Sequence, residues 1–268
     1  MYDWLEDALA ENSSPLITAN LRLSRELAEA WGRQLEARGV RAWETPQILV
    51  WKRWLHQLYD ALGDQKVLPT RLNSLQSRLA WEQCLRHEVD AEVVNIQSLA
   101  RLAFDTWNSM SDWALSPETC ANAAVGQDQR IFARTAKRYS TLLAANNWVD
   151  DASLPDLLLA AAKNGDVPAP TRLTLAGFDR VTPLVRMFLD CFAALGTAIE
   201  VRQATAPTRV SLHACDDVEA ELRAAGAWAA KELDAKPGRR VAIVVSGLES
   251  NAERYARLLR EGLVPGWQ

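Results

Sequence analysis

Closely spaced cysteine pairs are missing from this 268-residue chain: Cys84, Cys120, Cys191 and Cys215 are widely separated and form no CxxC. That spacing excludes a zinc ribbon and suits buried thiols in a reducing compartment better than disulfides. Histidine is equally sparse, with His56, His87 and His213 scattered, so no metal site is expected. No apolar run approaches the roughly 18 residues of a membrane span, and no membrane partner is expected. The opening MYDWLEDALAENSS is acidic and has no basic segment leading into an apolar one, unlike a secretory signal. These absences together give a cytoplasmic expectation. Positive charge is not in excess either. Thirty Lys and Arg face 34 Asp and Glu, a net charge of −4, which argues against simple electrostatic capture of nucleic acid. Finally, no GxxxxGK[ST] occurs anywhere, so no glycine-rich loop is present to cradle phosphates. Ser246-Gly247 follows an apolar run but lacks that glycine-rich context.

What is present is ordinary globular composition, 49% hydrophobic and 24% charged, with length for two modest domains. Eleven tryptophans are many, and cores are the expected place for most of them. A helix is expected over 2–10, a short strand over 15–19 and a helix over 21–38. In that helix Leu23, Leu27, Trp31 and Leu35 form one stripe and Gly39 ends it. A second short strand is expected at Ile48–Val50, then a helix marked by Trp51, Trp54, Leu55 and Leu58. From 64 to 165 the pattern gives no strand. Helices are expected at 71–88, 95–115, 127–146 and 153–163, punctuated by Pro69, Pro117, Gly126 and Gly165. Strand–helix alternation resumes at 171–176, with Thr182 and Pro183 opening a helix to Leu195. Further strands are expected at 197–202, 209–214 and 240–245. Helices are expected after Asp216, which with Glu219 resembles a capping box, and over 250–261. The order predicts an α/β fold in which a parallel sheet is interrupted by an all-helical subdomain. The core would be 1–63 and 166–268, and the insertion 64–165.

Three segments together resemble the motor core of superfamily-one DNA helicases of the UvrD/RecB type. Ile17-Thr-Ala-Asn-Leu-Arg-Leu23 resembles a strand end that touches single-stranded DNA in that family. Ile48–Leu55 sits where those proteins place a further DNA-contacting junction. Leu173–Val185 aligns without gaps to their Walker B region, with Phe178, Pro183 and Leu184 kept. Ala176 and Gly177 stand where the family has the magnesium-holding Asp and the water-positioning Glu, and Val185 replaces a Gln. A methyl group and a hydrogen do neither task. The resemblance is narrower still to AddB-like proteins, the RecB-family exonuclease subunits of DNA repair and recombination. It is carried by Thr18–Arg25, Arg41–Leu49, Gly177–Pro183, Asp217–Arg223 and Val241–Val245, and spans nearly the whole chain. It implies a degenerate, P-loop NTPase-like core with no ATPase activity and no cofactor. It further implies binding to single-stranded or unwinding DNA, an active helicase or nuclease subunit as partner, and a nuclease domain beyond Gln268. The closing Leu263–Gln268 likewise reads as though the natural chain continues.

The candidate DNA-contacting residues are Thr18, Asn20, Arg22, Arg25, Trp51 and Lys52, with Ala176 and Gly177 as the degenerate Walker B positions and no catalytic residue. Each has a plainer reading beside the functional one. Thr18 or Asn20 would serve as a helix cap, which does not exclude phosphate contact. Trp51 and Lys52 would be a core aromatic and a solvated lysine, or a base platform and a phosphate ligand. Arg130, Arg134, Lys137 and Arg138 share one helical face, either solvated or following a phosphate backbone. Asp216, Asp217, Glu219 and Glu221 cluster at a helix start, where capping explains them better than a metal does. Two rivals to DNA guidance remain: a protein-interaction scaffold, and an enzyme with an unrelated α/β site.

Overall fold

The computed structural model describes residues 2–9, 14–89, 95–203, 210–264 and 266. The chain divides into two compact units, 1–205 and 206–268. This division is drawn along different lines from the expected core of 1–63 with 166–268 around 64–165.

In chain order the first unit runs α1 (Leu5–Ala8), β1 (Leu16–Thr18), α2 (Leu21–Ala37), β2 (Ile48–Val50) and α3 (Trp51–Gly63). It continues through β3 (Thr70–Arg71), α4 (Ser74–Leu85), α5 (Ile96–Asp112), α6 (Pro117–Ala123), α7 (Gln127–Ala145) and β4 (Trp148–Val149). It ends with α8 (Leu154–Lys163), β5 (Arg172–Ala176), α9 (Pro183–Ala194) and β6 (Ala198–Arg202). The four longer strands form one parallel sheet in the order β2-β1-β5-β6. Pairing of Leu16 with both Ile48 and Thr174 fixes the register.

Because side chains alternate across a strand, this register sends the two faces to different cores. Ile17, Leu173 and Leu175 pack under α3, α8 and α9 with Trp54, Leu158, Phe188 and Phe192. Leu16, Ile48 and Ala176 pack on the other face with Leu5 of α1 and Leu27 of α2. Strands buried on both faces read as continuous apolar runs, which is why β1, β2 and β5 are visible in the sequence. Helix ends follow the expected chemistry. Asn20 Oδ1 accepts from Leu23 N at 2.9 Å, and Thr182 Oγ1 accepts from Val185 N at 3.4 Å with Pro183 in the first turn.

The helices α4, α5 and α7 have a core of their own, in which Trp81 stacks on Tyr139 at 4.4 Å and lies beside Trp107. Two features of this stretch differ from the sequence expectation. It contains strands: β3 and β4 pair in parallel, Thr70 with Trp148 and Arg71 with Val149. They clasp the two ends of the helical stretch, and two-residue strands carry no readable period. It also contains α6. Pro117, expected as punctuation, occupies the first turn of that helix and Ser116 caps it. Helix α8, expected with the insertion, packs into the core beneath the sheet.

The second unit contains α10 (Val218–Ala235) and α11 (Leu248–Leu263). Their backbones touch: a Cβ on Gly226 would fall 2.2 Å from Leu259 O, and one on Gly262 2.0 Å from Arg223 O. Ion pairs flank this crossing, Arg254 with Glu219 at 2.6 Å and Arg223 with Glu261 at 2.9 Å. The cap of α10 is Asp217, whose Oδ1 accepts from Ala220 N at 2.7 Å, one residue later than expected. The expected strand at 240–245 is not formed, nor is one formed over the described residues 210–214 of the other. Val244 is 96% exposed and Leu212 98%. A strand exists only through hydrogen bonds to a neighbour, and among the described residues neither segment has one.

Candidate functional site at the carboxyl edge of the sheet

All four strands of the parallel sheet end on one edge, and the strand order reverses between β1 and β5. In open α/β sheets that reversal opens a crevice where ligands bind. Thr18, Asn20 and Arg22 follow β1, Trp51 and Lys52 follow β2, and Ala176 and Gly177 end β5. The fold therefore brings to one edge residues that stand up to 159 positions apart in the chain.

Part of that crevice is occupied by the chain itself. Ala19 N donates to Ala176 O at 3.1 Å and Gly177 N donates to Arg202 O at 3.3 Å, which carries backbone pairing past the strand ends. Gly177 has φ +72°, and a Cβ there would meet Leu23 Cδ2 at 2.4 Å, so Leu23 occupies the space above it. Ala176 is buried with Leu5, Leu16 and Leu27. Neither side chain offers an oxygen to a metal. Among the described residues no group of three or more His, Cys, Asp or Glu is placed to hold a metal ion. The four cysteines are free; Cys84 is buried, but Cys215 is exposed, unlike the buried thiols expected.

The six candidate contact residues separate into two kinds. Thr18 is fully buried, with its hydroxyl within reach of Leu49 O at 3.2 Å and Asn20 O at 3.1 Å. Asn20 is the α2 cap. Trp51 is half-buried, its ring 5.3 Å from Trp54 and 5.2 Å from Phe188 in the core. Lys52 Nζ lies 2.5 Å from Asp151 Oδ2. Arg22 and Arg25 differ: both are exposed on the first turns of α2 and neither has an ion-pair partner among the described residues. Arg53 at the start of α3 is likewise exposed and unpaired among the described residues. Arg180, after β5, lies over the Trp113 ring at 6.0 Å.

Lys52 belongs to a cluster that the sequence reading missed. Asp151, in the turn after β4, accepts from Lys52 and His56, with His56 Nε2 at 2.8 Å. Arg71 of β3 is 3.7 Å from the same carboxylate and 3.0 Å from His56 Nε2. The only sequence hint was the spacing of Lys52 and His56, four apart on one helix face. Burial alone would push the Asp151 carboxyl up. The hydrogen bonds and positive charges of His56 and Lys52 outweigh burial and bring it down to about 2. With an unfolded value of about 3.9, the unfolded chain binds more protons between these limits. The contribution is therefore complete above about pH 4 and is lost as pH falls towards 2. Asp151→Asn is expected to lower the urea unfolding free energy by about 1–2 kcal/mol at pH 7. The gap to wild type should close as pH falls from 4 to 2. An equal gap at both ends of that range would dissociate Asp151 from the acid limb.

Asp150 plays a different part. It is fully buried, and its carboxylate accepts from Trp107 Nε1 and Tyr139 OH, both at 2.9 Å, and from Ser153 N at 2.8 Å. Burial and the Asp150 charge push the Tyr139 phenol up, so it stays a donor. Consecutive aspartates thus face opposite ways, one into the helical core and one towards α3.

No helix among the described residues is long and apolar enough to cross a membrane. No protein-family model matches this chain, and no curated protein matches it.

Proposed function

We propose that this chain is a non-catalytic, helicase-like module of a DNA repair and recombination nuclease. It guides single-stranded or unwinding DNA and scaffolds an active helicase or nuclease subunit in the cytoplasm. The observation that carries the reading is a parallel-sheet edge where Leu23 packs against Gly177 while Arg22 and Arg25 stand exposed beside it, without an ion-pair partner among the described residues. Leu23 packed against Gly177 at the switch point supports a reading without nucleotide chemistry there. Free guanidiniums beside the N-terminus of a 17-residue helix suit phosphate oxygens. The net charge of −4 favours a second reading, a scaffold that contacts only protein.

Fluorescence anisotropy with a labelled oligothymidylate, across a salt series, separates the two. Arg22→Ala with Arg25→Ala is expected to weaken binding and to reduce the slope of log K against log salt by about 1.4, since each phosphate that is no longer neutralised lowers it by about 0.7. Lys52 is left intact because its ammonium is held by Asp151. A folded wild-type chain that does not bind the oligonucleotide at low salt would leave the protein scaffold as the better reading.

A further inference from the structure

A second row of cations lies away from the sheet edge, on the helical part of the first unit. Arg130, Arg134, Lys137 and Arg138 are all exposed on α7. Arg130, Arg134 and Arg138 follow one another at four-residue steps, a rise of about 6 Å each. That is the order of the distance between successive phosphates in an extended strand. The helix α6 runs alongside, and together they enclose a groove of about 330 Å³ lined by Pro117, Ala121, Ala133, Arg130, Arg134 and Lys137, with Glu118 at its wall.

The arginines are held in place. Arg134 Nε donates to Glu88 at 2.8 Å, Arg138 lies 3.7 Å from the same carboxylate, and Arg130 Nη2 donates to Val125 O at 3.2 Å. Lys137 has no ion-pair partner among the described residues. Glu88 and Glu118 offset two of the four positive charges, and a net excess remains in a chain whose total is negative. Each guanidinium keeps further N–H donors beyond the one it spends, and a planar fork matches phosphate oxygens.

We infer that the α6–α7 groove is a track for the sugar–phosphate backbone of a single-stranded nucleic acid. It is separate from the sheet edge, and the inference rests on the nucleic-acid reading of the chain. The spacing along α7 sets the direction of the strand, which runs parallel to the helix axis. The floor of Ala121, Ala133 and Pro117 is apolar, and the cations above it serve the phosphates, which position a strand without reading its sequence.

The test uses the full chain and the labelled oligothymidylate, with poly-L-glutamate as competitor. Arg130→Gln with Lys137→Gln removes two cations that hold no carboxylate, and circular dichroism checks the fold. The expected result is roughly ten-fold weaker binding at low salt and a salt slope smaller by about 1.4. That loss should add to the loss from Arg22→Ala with Arg25→Ala. Oligonucleotide binding that the α7 pair leaves unchanged and the α2 pair weakens overturns this inference while the DNA reading stands. No binding by wild type overturns both. Poly-L-glutamate that displaces the oligonucleotide at equal charge concentration overturns the track in favour of an acidic protein partner.

Discussion

Asp150→Ala is expected to destabilise the first unit by about 3–5 kcal/mol. The carboxylate is fully buried and is the common acceptor for three elements: Trp107 of α5, Tyr139 of α7 and Ser153 at the start of α8. Truncation takes from the indole N–H and the phenol O–H the acceptor they share, at a position that is itself fully buried. Asp150→Asn does not restore the arrangement, because an amide turns its NH2 towards groups that are themselves donors. Tyr139→Phe, which removes one donor and leaves Trp107 and Ser153 on the carboxylate, should cost only about 1 kcal/mol. Guanidinium unfolding followed by tryptophan fluorescence reads all three, since Trp107 and Trp81 sit at the site. A loss below about 1 kcal/mol for Asp150→Ala would mean that the helical part does not depend on this buried hub.

What the sequence reveals and what it hides divide along a physical line. The strands of the sheet are legible because burial on both faces leaves an apolar run, as in Arg172–Ala176. The start of α9 is legible because Thr182 and Pro183 each have a local reason to be there. The run Arg240–Val245 looks the same in composition but is not a strand, since hydropathy says nothing about whether an edge is available to pair with. Pro117 fails in the opposite sense: a residue that stops a helix from within also begins one. The site divides in the same way. Exposure of Arg22 and Arg25 follows from the Leu23, Leu27, Trp31 and Leu35 stripe, which faces them away from the core. The Lys52–His56–Arg71–Asp151 cluster joins residues up to 99 positions apart, made neighbours by the packing of α3 in the same core as α8 and by the parallel pairing of β3 with β4.

An acidic pair placed at the end of β5, Ala176→Asp with Gly177→Glu, is expected to destabilise the sheet strongly before it creates any nucleotide chemistry. The two substitutions act through different costs. Gly177 holds φ +72°, a conformation that costs an L residue about 1–2 kcal/mol, and its Cβ would press on Leu23 Cδ2 at 2.4 Å. Ala176 is 3% exposed against Leu16, Leu27 and Leu5, so an aspartate there carries an unpaired charge into an apolar core at several kcal/mol. Together they exceed about 4 kcal/mol, a large share of the roughly 5–15 kcal/mol that holds a typical domain. Gly177→Ala alone isolates the backbone and Leu23 contribution and should cost about 1–3 kcal/mol. Leu23→Ala in the same background should recover part of it by vacating the space. Urea unfolding measures the series, and magnesium-dependent ATP hydrolysis is assayed beside it. ATP turnover by the double variant at an unchanged unfolding midpoint would mean that the crevice opens. The sheet edge would then be an inactivated nucleotide site rather than a surface already committed to packing.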